Sequence, residues 1–137
     1  MPQITVSTVV NAPIAHAWDA FTQPDHITQW NFASPEWCCP TARNDLRVGG
    51  EFSSRMEARD GSMGFDFAGV YTSVQPLEQF EYILGDERRV TVSFEAISGE
   101  QTKVTEIFDP ETVNPEELQR GGWQAILDNY TKHVETL

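Results

Sequence analysis

Basic residues are scarce in this sequence, which has 9 Lys and Arg against 21 Asp and Glu among 137 residues and a formal net charge of −12. Nucleic acids and anionic membranes are bound by clustered Lys and Arg, so this balance argues against both as partners. Long apolar runs are missing as well: no stretch approaches the ~20 apolar residues of a membrane span, and no charged-then-apolar start indicates a signal peptide. We therefore expect a cytoplasmic protein with an acidic surface.

Cysteine is limited to one adjacent pair, Cys38 and Cys39. Neighbouring cysteines cannot form an ordinary disulfide without distorting the backbone, so the pair predicts free thiols in a reducing compartment. A zinc site needs three or four ligands at suitable spacing, which neither this pair with His26 nor the separate His16 and His133 provides. The sequence also has no G-x-S-x-G motif and no Gly-rich phosphate loop. No metal, no cofactor and no nucleophilic catalysis are therefore predicted.

The residues that are present suffice for one globular domain spanning residues 1–137. Hydrophobic residues make up 39% and aromatic residues 11% of the chain, and a chain of this length buries roughly two-thirds of its unfolded surface. Alternation of apolar and polar residues between turn signals predicts strands at residues 3–10, 45–48, 51–58, 64–74, 80–84, 89–97 and 102–108. Two short helices are predicted after the first strand, one starting at residues 11–13 and one at residues 24–30, followed by an irregular aromatic loop at residues 31–42.

Residues 114–137 are predicted to form one long helix. Asn114 is a favourable N-cap, Pro115 suits the first helical position, and Glu117 can complete a capping box. Apolar residues recur at helical spacing and should face an apolar surface: Leu118, Trp123, Ile126, Leu127, Tyr130 and Val134. Gly121 and Gly122 lower helix stability by about 1 kcal/mol each. Such a pair indicates either close approach to another backbone or room left for a ligand.

The order of elements is a strand, two short helices, about six hairpin-linked strands and a long helix. This order predicts an α+β fold with a single antiparallel sheet. The sheet would have one dry face, and the long helix is the element able to cover it. A curved sheet around a helix leaves a cleft between the two, whose mouth would be closed by the short helices and the loop at residues 30–37.

Five segments, in the same order, carry a family resemblance: PIAHAWDAFTQPDHITQW, DLRVGGEF, GFDFAGVY, RRVTVSFE and LQRGGWQAILDNY. With them the chain resembles, over essentially its whole length, the activator of heat-shock-protein-90 ATPase homologue 1-like family of the START and birch-pollen-allergen-like (SRPBCC) superfamily. The resemblance implies a helix-grip fold, in which a curved antiparallel sheet of about six to seven strands wraps around a long C-terminal helix and leaves a hydrophobic cavity. The eukaryotic activator that names the family has a further N-terminal domain. We do not expect that domain here, so stimulation of a chaperone ATPase is not implied.

Glu106 is the most informative polar residue. Alternation places it between Val104 and Phe108 on the inner face of the last strand. A carboxyl group among aromatic residues loses hydration, and its pKa rises unless a partner compensates. Glu106 would then orient a polar group of a ligand or act as an acid or base. In the structural alternative, it pairs with an Arg or Tyr, or a bulge turns it outward.

The other candidate site residues are large apolar side chains that would either fill the core or line a cavity. They are Trp30, Trp37, Met56, Phe65, Phe67, Tyr82, Phe108, Trp123 and Tyr130. Together they exceed what a small core needs, which favours a small-molecule site. We therefore predict binding of a small hydrophobic molecule, such as a lipid, polyketide or aromatic compound, without catalysis. One alternative is an enzyme that uses Glu106 with Tyr82 or Asp66 for acid–base chemistry on a ring compound, and another is a stress-related module that interacts with a chaperone.

Overall fold

The computed structural model describes residues 2–137, which form eight strands and three helices. In chain order these are β1 (Ile4–Val10), α1 (Ile14–Thr22), α2 (Pro24–Trp30), β2 (Trp37–Cys38), β3 (Ala42–Asn44), β4 (Glu51–Ala58), β5 (Gly64–Gln75), β6 (Gln79–Leu84), β7 (Arg89–Ser98), β8 (Gln101–Phe108) and α3 (Glu116–Val134). The strands form one antiparallel sheet in the order β1-β8-β7-β6-β5-β4-β2, and β3 also pairs with β4. The predicted α+β fold, a curved antiparallel sheet with a long C-terminal helix, is confirmed.

Alternation of buried and less buried residues gives the sheet one apolar face. On β6, Phe80, Tyr82 and Leu84 are buried, and the residues between them are only partly buried. The buried side chains of the longer strands lie on this same face and include Ile4, Val6, Val10, Ser54, Met56, Tyr71, Val90, Val92, Phe94, Val104, Glu106 and Phe108. Successive side chains of a strand point to opposite faces. The helices therefore cover a single face of the sheet, and the core lies between the two layers.

The segment between α2 and β4 differs from the prediction. Residues 45–48 do not form a strand, because backbone N–H groups of Arg47 and Gly50 donate to the carbonyls of Asp45 and Arg47 (2.9 and 2.8 Å) and Gly49 adopts a left-handed φ of +83°. Two short strands occur instead: β2, within the predicted loop, and β3, just before these turns. Both pair with the outer edge of β4. Strands this short have no hydrophobic period of their own, so their conformation depends on that tertiary pairing.

The apolar stripe of α3 covers the inner face beside β1 and contacts α1 and α2. Leu127, Tyr130 and Val134 are buried, as predicted. Leu118 is 62% exposed, so the prediction that it belongs to the stripe is wrong. At about 3.6 residues per turn, the step from Leu118 to Leu127 ends on the opposite side of the helix.

The first turns of α3 also differ from the prediction. Pro115 occupies the N-cap position in an extended conformation with ψ 147°, and no side chain caps the helix. Asn114 is therefore one residue too far from the helix to act as its cap, and its carbonyl instead accepts a hydrogen bond from the Gln119 amide (2.8 Å). A Cβ atom added at Gly121 or Gly122 would meet no atom within 4 Å. The prediction of close backbone approach is thus wrong, and room for a ligand stays a prediction.

Side-chain hydrogen bonds hold the helices together as one layer. The Tyr130 hydroxyl on α3 donates to the carbonyl of Ala17 on α1 (2.6 Å). Nδ1 of His26 on α2 and Nε2 of His133 on α3 share a hydrogen bond of 2.8 Å. Within residues 2–137, none of these helices has the length and apolar content needed to cross a membrane.

Candidate functional site

A cavity of about 220 Å³ lies between the inner face of the sheet and the three helices. Its wall comes from all three helices, from β3 to β6 and from β8, and just over half of its lining residues are aromatic. Its volume equals the share of about seven water molecules in the liquid. It is therefore smaller than the ~300–1,000 Å³ of most small-molecule pockets, and it suits a compound of roughly one or two rings.

Predicted site residues that border this cavity are Trp30, Met56, Phe65, Phe67, Tyr82, Glu106 and Trp123. Alternation along β5 and β6 directs Phe65, Phe67 and Tyr82 to the inner face. The indole N–H of Trp30 donates to the carbonyl of Ala20 (2.9 Å), which fixes this ring at the helical end of the wall. The structure thus places these side chains together, and their contact with a ligand stays a prediction.

Three predicted site residues, Trp37, Phe108 and Tyr130, do not border the cavity. Phe108 is fully buried and stacks on Trp123 with ring centroids 3.9 Å apart, so it supports the wall from behind. Tyr130 is also fully buried, and its hydroxyl is used in the hydrogen bond to α1. Trp37 lies on the short edge strand β2 and packs edge-on against Phe65 (6.1 Å). We therefore correct the placement of these three residues from cavity wall to supporting core.

Ten further residues line the cavity and were not predicted from the sequence: Phe21, Ile27, Asn31, Arg43, Asn44, Phe52, Ser54, Tyr71, Phe80 and Ile126. Some of them had a readable signal, because Phe52 shares the inner face of β4 with Met56 and Phe80 shares that of β6 with Tyr82. The two residues from β3 had none, since that strand forms only through pairing with β4.

The Glu106 carboxyl borders the cavity without a partner. The residue is 7% exposed, and loss of hydration raises the pKa of its carboxyl from 4.5 to about 8. No hydrogen bond or charge from residues 2–137 offsets this shift. Glu106 pairs in regular register with Val6 on β1 and Val92 on β7, so no bulge turns it outward. At neutral pH this group is therefore mainly an uncharged carboxylic acid that can donate a hydrogen bond.

Tyr82 is another buried polar residue on the wall, and its hydroxyl has no hydrogen-bond partner among residues 2–137. It is 6% exposed, and burial followed by the nearby Glu106 carboxyl raises its pKa well above the ordinary value. Every buried side-chain oxygen or nitrogen among residues 2–137 has either a hydrogen-bond partner or access to open space. The Tyr82 hydroxyl has no such partner, and Tyr82 borders the cavity. Its hydroxyl therefore opens onto the cavity. The neighbouring Tyr71 differs, because its hydroxyl donates to Oδ1 of Asn44 (2.6 Å). Burial likewise raises the pKa of Tyr71.

Asp66 does not join this site. It lies on the opposite face of β5 from the cavity, where its carboxylate pairs with Arg55 (3.5 Å). That face borders a wider, shallow groove of about 930 Å³ on the outside of the sheet. Arg47 in the groove pairs with Asp45 (2.9 Å), as Asp66 does with Arg55. The proposed acid–base role for Asp66 beside Glu106 is therefore wrong, and the smaller inner cavity is the better candidate site because two of its polar groups, Glu106 and Tyr82, are buried and have no hydrogen-bond partner among residues 2–137.

The thiols and imidazoles lie outside the cavity. Cys38 and Cys39 are free, and burial raises the pKa of the Cys39 thiol to about 11, so it stays protonated at neutral pH. Burial, together with the neighbouring His26, lowers the pKa of His133. Residues 2–137 contain no group of three or more His, Cys, Asp and Glu side chains arranged to hold a metal ion.

The family of this chain is shown by its match to a known protein family. Residues 11–135 match the family described as Activator of Hsp90 ATPase homolog 1-like protein. The chain belongs to this AHSA1-like family. The resemblance read from the five sequence segments, including its SRPBCC superfamily, is thereby confirmed. No match was found among curated proteins.

Solved structures agree with the assignment to the AHSA1-like family. The chain is 40% identical to an AHSA1-like protein from Aeromonas hydrophila, with a TM-score of 0.91 over 98% of this chain and 92% of that chain. It is 47% identical to a protein from Cytophaga hutchinsonii, with a TM-score of 0.84 and the same shares of both chains. A protein from Chromobacterium violaceum, 23% identical with a TM-score of 0.83 over 98% of this chain and 99% of that chain, shares the fold.

Proposed function

We propose that this AHSA1-like protein is a cytoplasmic binder of a small, largely apolar ligand, which it holds between the sheet and α3 without catalysing a reaction. The observation that supports this most directly is Glu106, a buried carboxyl that borders the cavity and has no hydrogen-bond partner among residues 2–137. An unpaired buried polar group lowers stability by about 1–3 kcal/mol. A ligand that supplies the missing hydrogen bond would recover that free energy as affinity.

The aromatic wall supports an apolar body for the ligand. Phe67 lies 6.1 Å from Trp123 and 6.4 Å from Tyr82, both nearly edge-on. Rings in such arrangements present flat apolar surfaces from several directions, which suits a planar compound. Burial of apolar area contributes roughly 25 cal/mol per Å², so the wall would provide most of the affinity and Glu106 the orientation.

Binding without turnover fits the residues of the wall better than acid–base catalysis does. Proton transfer through a substrate generally needs a base with a pKa near the working pH and an acid placed opposite it. Glu106 is the one carboxyl among the described residues on the wall, and the other groups that ionise there are Arg43, Tyr71 and Tyr82. The pKa of Glu106, about 8, would suit a base, but no second carboxyl or imidazole among the described residues lines the wall, and the Tyr71 hydroxyl is already paired. The Tyr82 hydroxyl would then have to serve as the acid.

A ligand screen tests the proposal. Wild type is mixed with lipids, polyketides and aromatic compounds of one to three rings, and thermal unfolding and native mass spectrometry are recorded. A ligand at one hundred times its Kd stabilises the fold by about 2.7 kcal/mol, so at least one compound should raise the melting temperature and appear unmodified on the protein. Turnover of that compound favours the enzyme instead, and recovery of a chaperone alone in a pull-down favours the chaperone-interacting alternative. No thermal shift and no bound mass across the library would refute the proposal.

Variants locate the bound compound. Glu106→Leu removes both hydrogen-bonding oxygens and should weaken binding, whereas Glu106→Gln keeps an uncharged donor and acceptor and should retain most of it. Glu95→Gln is the matched control, because Glu95 is an exposed residue of β7 opposite Lys103. Equal affinity in all three variants would place the ligand outside the cavity.

A further inference from the structure

We infer that the Tyr82 hydroxyl and the Glu106 carboxyl together form a two-donor site for a carbonyl oxygen, so that the ligand is a small ring ketone or aldehyde. The inference rests on the proposed binding function and names the class of ligand that the cavity would select. Both residues are more than nine-tenths buried, and both border the same cavity.

The strand register brings the two groups to neighbouring positions on the inner face. Tyr82 on β6 lies opposite Val90 on β7, which lies opposite Phe108 on β8. Glu106 precedes Phe108 by two positions on β8 and lies opposite Val92. Tyr82 and Glu106 are therefore two strands and one inner-face step apart. In a flat sheet this separation places the two Cα atoms about 12 Å apart, a distance that a Tyr and a Glu side chain can together span on the concave side of a curved sheet. The Glu106 carboxyl is close enough to raise the pKa of the Tyr82 hydroxyl.

The hydroxyl groups of the other two tyrosines are already used by the protein. The Tyr71 hydroxyl on β5 donates to Asn44 on β3, and the Tyr130 hydroxyl on α3 donates to the carbonyl of Ala17. No such acceptor receives the hydroxyl of Tyr82 among residues 2–137. The carboxyl of Glu106, whose pKa is about 8, keeps its proton at neutral pH. Two buried donors thus face one cavity without acceptors.

A carbonyl oxygen satisfies this pair better than the other oxygen groups of small molecules. It has two lone pairs, one for each donor, and brings no proton that needs an acceptor of its own. A hydroxyl group also brings a proton, which the second oxygen of the Glu106 carboxyl could accept, so tighter binding of a phenol is the competing outcome that the titration has to exclude. A carboxylate would bring a charge into a wall whose one cationic residue, Arg43, is exposed, and an unpaired buried charge is strongly unfavourable.

Calorimetric titration with α-tetralone and tetralin tests the inference, because the two share a two-ring frame and differ in the carbonyl group. Wild type should bind α-tetralone more tightly, and Tyr82→Phe should weaken α-tetralone about tenfold while leaving tetralin unchanged. Glu106→Leu should have a similar effect, and Glu106→Gln a smaller one. Tyr130→Phe is the matched control, because that hydroxyl lies outside the cavity. This variant should keep the wild-type ratio of the two affinities even if its melting temperature falls.

The pH and the infrared spectrum give readouts that a packing defect would not reproduce. Wild-type affinity for α-tetralone should fall as the pH rises through about 8, because ionised Glu106 no longer donates, and affinity in Glu106→Gln should stay flat. Tyr82 and Tyr130 are the titratable groups close enough for the Glu106 carboxyl to raise their pKa values. Tyr71 and Arg43 lie elsewhere on the same wall. The tyrosine hydroxyls, whose pKa values burial raises, stay protonated throughout this range. The carbonyl stretch of bound α-tetralone should lie below its value in an apolar solvent and partly recover in Tyr82→Phe.

The outcomes separate the inference from the function on which it rests. Equal binding of tetralin and α-tetralone, or tighter binding of naphthol than of α-tetralone, would overturn the two-donor site and leave the apolar binding function standing. An unshifted carbonyl stretch would also overturn it. If neither compound binds and the whole ring-compound library leaves the melting temperature unchanged, both the proposed function and the two-donor site are refuted.

Discussion

Ionisation of Glu106 should lower the stability of the ligand-free protein as the pH rises. Burial raises the pKa of this carboxyl from 4.5 to about 8. The unfolded chain therefore releases the proton above pH 4.5, while the folded protein keeps it until about pH 8. Because the folded state binds more protons inside this window, the free energy of unfolding falls as the pH increases between the two values. Below pH 4.5 and above about pH 8, Glu106 does not change the free energy of unfolding with pH.

The size of the effect follows from the shift. Each pKa unit corresponds to about 1.4 kcal/mol, so the full shift is worth on the order of 4–5 kcal/mol, of which about 3 kcal/mol is reached by pH 7. A domain of this kind has a total stability of about 5–15 kcal/mol. Glu106 would therefore be among the most destabilising single groups in the ligand-free protein.

Urea unfolding at pH 5 to pH 9 measures this slope in wild type and Glu106→Gln. The variant cannot ionise, so it should lie close to wild type at pH 5 and become more stable than wild type by on the order of 4 kcal/mol at pH 9. Contributions from His133 and other groups cancel in the difference between the two proteins. Glu95→Gln, at an exposed position of β7, should keep the wild-type slope. Parallel curves for wild type and Glu106→Gln would show that the carboxyl is hydrated in the folded protein.

Three further predictions concern stability. Tyr71→Phe leaves Oδ1 of Asn44 without its donor and should lower the free energy of unfolding in urea by about 1–2 kcal/mol; no change would show that the hydrogen bond contributes nothing net. The lowered pKa of His133, caused by burial and then by His26, makes the folded protein resist protonation, so stability is lost as the pH falls below the ordinary value of 6.5. Between pH 7 and pH 5 the melting temperature of wild type should therefore fall relative to that of His133→Gln, in addition to the rise that protonation of Glu106 gives both proteins. A constant difference between the two proteins would contradict this. Gly121→Ala should stabilise the protein by about 1 kcal/mol in urea unfolding, because the new Cβ meets no atom within 4 Å; a loss of stability would mean that the position is packed.

Sequence patterns predicted those parts of the fold whose residues interact with near neighbours in the chain. Helix α2 has its predicted bounds, and the alternation that placed Glu106 inside β8 is observed. Strands β2 and β3 were not predictable in the same way, because β4 supplies their hydrogen-bonding partners. The helical stripe failed at Leu118, where the apolar residue is out of phase with the rest.

In the candidate site too, features set within one strand could be predicted and features set by contacts between strands could not. The inward orientation of Tyr82 and Glu106 follows from alternation within each strand. That they face one cavity depends on β7 lying between β6 and β8, and that the Tyr71 hydroxyl is occupied depends on Asn44 from a distant short strand. A sequence can therefore name the polar groups of the inner face, whereas the pairing of strands decides which of them are left for a ligand.

The pairing of β1 with β8 has a consequence for folding during synthesis. Ile4 lies opposite Phe108 and Val10 opposite Thr102, so the first strand pairs with a strand that is synthesised after most of the chain has been made. At about 5–20 residues added per second, the apolar side chains of β1 spend several seconds without that neighbour. The strands from β4 to β8 can meanwhile form by successive hairpins, which are fast local steps. We expect the nascent chain to form most of the meander first and to add β1 along the β8 edge late in folding.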